Sequence, residues 1–403
     1  MDLRIKRTPE DDAGGPPLNL AAAIAEFYSE FPEHKDDVFI LNHQTHARGR
    51  EAVDALAPQI AALESRHPSA KTGMAKSFAL GGFEAKMPMS VNISESMFNN
   101  KSESQIFGRI VIPAGDQFSA TLLKSIFVAS DHQPNNRFPT MAAEHNNTEM
   151  WHRYVLDHEI GHALTMLKID KQSMKTSSFG NKAECEADAY SMIRHYQRYG
   201  SDSTFPEYVR DLRNMNAVHK LDVTHWTSRA VQKVIDLNAE GKLQNLTPHE
   251  TRDLAVKIAQ ETHLSADAEH NVGKAFKSVV MGMLTKKLSD DEKVSYLQNA
   301  AARVGAETQS PAVLEICKLY AETIARYIPA HLAQKATPEQ LQTRAENTSK
   351  MAARVLMEEP GVTGLGRIFR DAMIDAQSGK NRGAQNDNDN SGDKKPPQGP
   401  KSR

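Results

Sequence analysis

Only two cysteines, Cys185 and Cys317, occur in 403 residues. That is too few for a disulfide framework and points to a reducing compartment. Long hydrophobic runs are missing as well: nothing approaches the roughly 18–20 apolar residues of a spanning helix. No membrane span is therefore expected. The opening "MDLRIKRTPEDDAGGPP" carries charges but not the apolar segment of a cleavable secretory signal. The expectation is a cytoplasmic protein, the alternative being export by a route that uses no such signal. An excess of one charge is also lacking, with 49 Lys and Arg against 51 Asp and Glu and a net charge of −2. That balance offers no overall field for nucleic acid or a membrane surface.

The length admits two domains or one large one. Residues 1–17, charged and then rich in glycine and proline, read as a flexible leader. "LNLAAAIAEFYSEF" (18–31) has helical spacing, and so does 48–66, where Pro58 marks a break. Strand signals are confined to the next stretch. Residues 87–94 alternate Met87, Met89, Val91 and Ile93, and 106–113 is β-branched up to Pro113. "LLKSIFVAS" (122–130) suits either strand or helix. A polar loop follows, in which His132 and His145 read as solvated side chains.

Beyond Trp151 the pattern predicts helices over 149–168, 182–199, 205–216, 224–240, 248–261, 267–287, 290–305, 311–328, 338–357 and 364–376. Thr247, Pro248 and Glu250 form an N-cap with proline at the first helical position. From Gln377 onward the tail has no apolar anchors and is expected to be disordered.

Within this apolar helical half, "VLDHEIGHALTMLKID" (155–170) sets two imidazoles and a carboxylate on one helix. His158 and His162 are four residues apart and share a face, so both can reach one metal ion. Glu159 is turned about 100° away, beside such an ion rather than on it, as suits a base acting on water. This is an H-E-x-x-H pattern in its expected helical setting. The bland alternative is a pair of core histidines bonded to backbone carbonyls. Two histidines leave a catalytic zinc one protein ligand short. "NKAECEADAYSMIRHY" (181–196) offers Glu184 and, one turn on, Asp188. Glu184 can complete the site, and Asp188 can accept the outer N–H of a ligand histidine and fix its tautomer. The two helices would pack antiparallel, joined by "DKQSMKTSSFG" (170–180) with Gly180 helping to end the turn.

"HEIGH" followed by "ECEAD" resembles the gluzincin class of zinc metallopeptidases. It is closest in form to the family of the prenyl-protein endopeptidases and their soluble bacterial relatives. The resemblance covers about residues 149–199. It implies that His158, His162 and Glu184 bind Zn2+, that Glu159 is the catalytic base, and that Asp188 orients a histidine. A metzincin is ruled out, because Thr165 and Lys168 stand where that motif needs glycine and a third histidine. Glu186, about 200° around the helix from Glu184, is a rival ligand. Cys185 is expected to pack as a small apolar residue, with a thiolate ligand as its alternative.

A donor for the oxyanion must come from elsewhere in the chain. His195, His219, His225, Tyr196 and Tyr199 are the candidates, and His225, beside Trp226 at a helix start, is the choice. The fold expected is α+β and predominantly α. N-terminal helices (18–75) lead to a zincin-like core with a small sheet (76–200). A helical region (201–376) and the tail follow. The function expected is hydrolysis of peptide bonds in a peptide or protein substrate, and the resemblance implies that the substrate lies along the edge of the strand at 106–113. The alternative is a non-catalytic helical scaffold that retains the same core.

Overall fold

The structure is a computed structural model. It describes residues 14–327 except 47, 86, 96–102, 129–142, 166–167, 171–176, 220, 287 and 289. His132, most of the leader, the two expected helices beyond 338 and the tail lie outside the described residues.

A small sheet and a large set of helices share the chain. The N-terminal helix α1 (Leu20–Glu30) is capped by Asn19, whose side chain accepts from Ala22 N. Strand β1 (Val38–Ile40) follows, then α2 (Gly49–Ala55) and α3 (Ala57–Arg66), separated at Leu56. Pro58 sits in the first turn of α3, where its missing N–H costs no hydrogen bond. Helix α4 (Thr72–Ala85) leads into β2 (Met89–Ser94), and β3 (Glu103–Ile112) is the central strand.

Strand β1 pairs with β3 in parallel, Phe39 opposite Ile110. Strand β2 pairs with β3 antiparallel from Met89 opposite Ile112 to Ser94 opposite Ile106, with an irregularity at Ile93/Ser94. A further strand, β4 (Lys168–Asp170), pairs with the start of β3. It falls where the sequence suggested the end of a helix and the start of a loop. The described part of the stretch at 122–130 is helix, α5 (Ala120–Val128).

The expected strand edge needs correcting. From 106 to 112 strand β3 is paired by β2, and over 109–111 by β1 as well, so it is the centre of the sheet. Among the described residues β1 and β2 are the outer strands on either side of it, and β2 is the one that reaches the cavity described below.

Alternation along β3 sends its two faces to different layers. Ile110 and Ile112 join Ala75, Ala79 and Phe83 of α4 in one hydrophobic cluster. Val111 joins the main core with Val155 and Leu156 of α6 (Thr148–Thr165). Helix α6 is buried nearly all round, so it shows little amphipathic signal. It packs most extensively on α7 (Ser177–Tyr199), which also carries α9 (Ser228–Ala239) and α10 (Pro248–Thr262), while α8 (Phe205–His219) packs on α9. The Thr247–Glu250 capping box is present in full at the start of α10.

The main core runs from Leu18 to Ala259, across position 200. A second core joins α8 to α11 (Ala266–Thr285), α12 (Asp290–Glu307) and α13 (Pro311–Tyr327). Among the described residues no helix is long and apolar enough to cross a membrane.

Candidate metal centre

Helices α6 and α7 approach closely because Gly161 faces Ala187. A Cβ on Gly161 would stand 2.8 Å from Ala187 Cα and 3.3 Å from its carbonyl oxygen. The glycine inside "HEIGH" therefore sets the spacing between the helix that carries the imidazoles and the helix that carries the carboxylates. Gly180, expected in a turn, is instead within α7. A Cβ there would lie 3.0 Å from Thr224 Cγ2.

Across this contact, ligand atoms of His158, His162 and Glu184 all lie within 4.8 Å of one another, and the group could hold a metal ion. His158 Nε2 is 3.2 Å from Glu184 Oε2, and His162 Nε2 is 3.4 Å from Glu184 Oε1. The two rings stand nearly perpendicular, at 86°, with centroids 4.8 Å apart. Glu184 Oε2 is buried and makes no hydrogen bond, although His158 is close. A buried carboxylate oxygen left in that state is costly, and a cation between the three side chains would satisfy it. Two imidazoles and one carboxylate suit zinc in both number and chemistry. The residues present therefore fit a resident metal ion.

Behind His158 lies Asp188, fully buried. Its Oδ1 accepts from His158 Nδ1 at 2.8 Å and Tyr154 Oη at 3.0 Å. Arg213 grips both oxygens, Nε to Oδ2 at 2.8 Å and Nη2 to Oδ1 at 3.0 Å, and the Thr227 hydroxyl donates to Oδ2. Burial opposes the charge on Asp188, but Arg213 and His158 outweigh it and hold the carboxyl below its usual range. The Nδ1 contact fixes the His158 ring with Nε2 towards Glu184.

Glu159 is buried and lines the same cavity as the cluster. Burial raises its pKa against the pull of His158 and His162. Burial likewise works against the charge on Glu184, yet His225, His162 and His158 together hold it well below the usual carboxylate range.

His225 is brought to the site as chosen. Its Nε2 lies 3.5 Å from Glu184 Oε2, and its Nδ1 pairs with Asp222 Oδ1 at 2.8 Å. Burial lowers its pKa, but Glu184 and Asp222 prevail and raise it. It stands in the loop before α9, whose N-cap is Thr227, not at the helix start. Asn181, one turn before Glu184 on α7, fastens that loop. Its Nδ2 is within 3.3 Å of the carbonyls of Val223, Thr224 and Trp226, and its Oδ1 accepts from Leu264 N at 2.7 Å.

The other candidates lie elsewhere. His195 is buried against Phe205 and pairs with Ser203 Oγ at 2.7 Å. Tyr196 is buried in the main core. Tyr199 is half exposed and does not line the cavity. The side chain of His219 lies outside the described residues. Glu186, the rival ligand, is turned towards Lys182 and Arg109, with Lys182 Nζ 3.9 Å from its Oε1. Cys185 packs in the main core as a buried apolar group, and burial pushes its thiol pKa up. His145 is not solvated: it is buried, bonds Thr204 Oγ1 at 2.9 Å and stacks on Tyr208.

A cavity of about 330 Å³ opens over the cluster. His158, Glu159, His162, Glu184, Arg213, Asn216, Asp222 and His225 line it on one side, and Met87, Pro88, Met89 and Ser90 on the other. Asp222, Arg213 and Asn181 were not singled out in the sequence. Asp222 precedes His225 by three residues, and that spacing was the readable signal for a partner.

No protein-family model matches the chain, and no curated protein or solved structure matches it either.

Proposed function

We propose that the chain is a zinc-dependent peptidase. The observation that carries this reading is the convergence of His158, His162 and Glu184 on one point, with a free carboxylate, Glu159, beside it. A purely structural metal site has no use for that fourth group. When bound, a zinc ion at this point polarises a carbonyl and acidifies a water.

The protein supplies the rest. Glu159 takes the proton from the attacking water and passes it to the leaving amine. Its raised pKa suits both steps better than that of an exposed glutamate would. His225, held by Asp222, presents Nε2–H towards the oxygen that gains charge as the carbonyl is attacked. Asp188, clamped by Arg213, keeps His158 in one tautomer. The open edge of β2 provides backbone groups for a substrate lying as an added strand.

The test uses purified full-length chain, metal analysis and a peptide mixture read by mass spectrometry. Glu159→Gln is expected to keep its zinc and lose cleavage. His158→Ala is expected to lose both. Wild-type protein that carries stoichiometric zinc but cleaves nothing would leave a non-catalytic scaffold. Protein that binds no metal would leave a pair of core histidines.

A further inference from the structure

Among the described residues four large hydrophobic side chains are exposed: Met74 (42%), Phe78 (58%), Met87 (38%) and Tyr199 (41%). Three of the four belong to one unit, α4 and its turn into β2. Met74 and Phe78 are four residues apart on α4 and so lie on one face. One turn on, Gly82 is buried where the helix meets the sheet, beside Ile112 and Met89. Its missing side chain makes room for Met89, since a Cβ there would stand 2.7 Å from Met89 Sδ. Met89 and Met87 then form the apolar wall of the cavity over His158 and His162. This apolar stripe of α4 and its turn reaches the candidate metal centre through Met87, which is both exposed and part of the cavity lining. Most of the remaining lining is ionic or polar.

We propose that this stripe seats an extended polypeptide segment carrying bulky apolar side chains, and so selects the substrate of the site. The proposal rests on the peptidase reading. Two features choose a polypeptide as the occupant. The stripe ends at β2, an outer strand of the sheet, whose Met89 and Ser90 line the cavity and whose outer edge suits an extended main chain. It also merges into the cavity that holds Glu159. Three of its four large side chains are methionines, which repack around different shapes. The selection is therefore for apolar bulk, not for one residue type. Such segments are buried in folded proteins, so the accessible substrates are unfolded or flexible ones.

Binding can be measured without turnover. Full-length Glu159→Gln chain is titrated against two fluorescein-labelled peptides of about ten residues, each spanning about 33 Å when extended. One is rich in Leu and Phe, the other in Ser and Asn. The apolar peptide is expected to bind more tightly. Phe78→Ser or Met74→Ser in that background should each weaken it about fivefold. Tyr199→Ser removes comparable exposed apolar surface away from the stripe and should leave binding unchanged. All three positions are exposed, so the folded state is retained, and circular dichroism checks this.

Equal binding of the two peptides, or equal weakening by Tyr199→Ser, overturns the proposal. So does a wild-type dimer in sedimentation that Phe78→Ser dissociates, because the stripe then seats a second copy of the chain. Peptide binding with no cleavage by the wild-type chain would instead refute the peptidase and leave the stripe standing. Cleavage indifferent to Phe78 and Met74 would do the reverse.

Discussion

Gly161→Ala adds one methyl group at the tightest point between the two helices of the metal centre. In an isolated helix the change is favourable, by about 1 kcal/mol. Here the new Cβ would meet Ala187 Cα at 2.8 Å, its carbonyl oxygen at 3.3 Å and its Cβ at 3.4 Å. Carbon atoms in good contact stand about 3.5–4.0 Å apart, and the obstacle is backbone, which cannot swing aside as a side chain would. Helix α7 must therefore retreat by about 1 Å at Ala187. Overpacking of this kind costs about 1–3 kcal/mol, so the net change in stability lies between about 0 and −2 kcal/mol. The effect on metal binding is larger in proportion. Ala187 lies between Glu184 and Asp188, and Gly161 between His158 and His162, so the retreat acts on every ligand at once. An error of this size in ligand placement should weaken zinc affinity by about 10–100-fold, the scale seen when the partners of metal ligands are disturbed. Competition against a chromophoric chelator measures the affinity, and chemical denaturation of the metal-free chain measures the stability. A variant that gains about 1 kcal/mol and keeps its affinity would refute the close-contact argument.

Asn181→Ala should unfasten the loop that carries His225. It removes the contacts to the Thr224 and Trp226 carbonyls and the partner of the Leu264 N–H, costs about 1–3 kcal/mol, and should lower kcat for a cleaved peptide far more than it changes KM. His195 links stability to pH: burial, with Arg198 and His145 adding to it, pushes its imidazole down to about 3. Because the folded pKa lies below the unfolded one, this contribution is fully present above about pH 6.5 and is lost as pH falls towards 3. Between pH 6.5 and 4.5 the loss is about 2–3 kcal/mol. His195→Gln should flatten that limb of the denaturation curves by about one proton, and an unchanged slope would show that other groups dominate. Arg213→Met should destabilise the chain by about 3–5 kcal/mol, because it leaves Asp188 buried without its cation. Combining it with Asp188→Leu should recover part of that loss in thermal unfolding.

The heart of the site was legible because helical geometry alone places residues four apart together. That holds for His158 with His162 and for Glu184 with Asp188. The same argument separated Glu184 from Glu186, whose carboxylate lies beside Thr165, Lys182 and Arg109 and outside the three-residue cluster. What could not be read came from long-range packing. Helix α4 contains Gly73, Gly81 and Gly82, which weaken any helical expectation, yet Gly82 is the space that Met89 needs. Strand β1 is three residues long, and a short apolar run decides nothing without a partner strand. Placing the substrate beside 106–113 failed for the same reason: which strand is the edge depends on pairing, which no local pattern records. Arg213 sits in a helix where Asp211, Asn214 and Asn216 are also buried, and nothing in so polar a pattern marks one residue as facing the site.

The charges around the cluster are those that a divalent cation would balance. Arg213 is committed to Asp188, with both carboxylate oxygens engaged. That pair is nearly neutral, and its burial is offset by the hydrogen bonds from Tyr154, His158 and Thr227. What remains facing the cavity is Glu159, Glu184 and Asp222 against His158, His162 and His225. Imidazoles that act as ligands must be neutral at the coordinating nitrogen. With His158 and His162 in that state, only His225 is left to offset three carboxylates, and two negative charges stay unbalanced. A single dication held by His158, His162 and Glu184 would cancel them. It would leave Glu159 outside the ligand set, as the proposed role of a base requires.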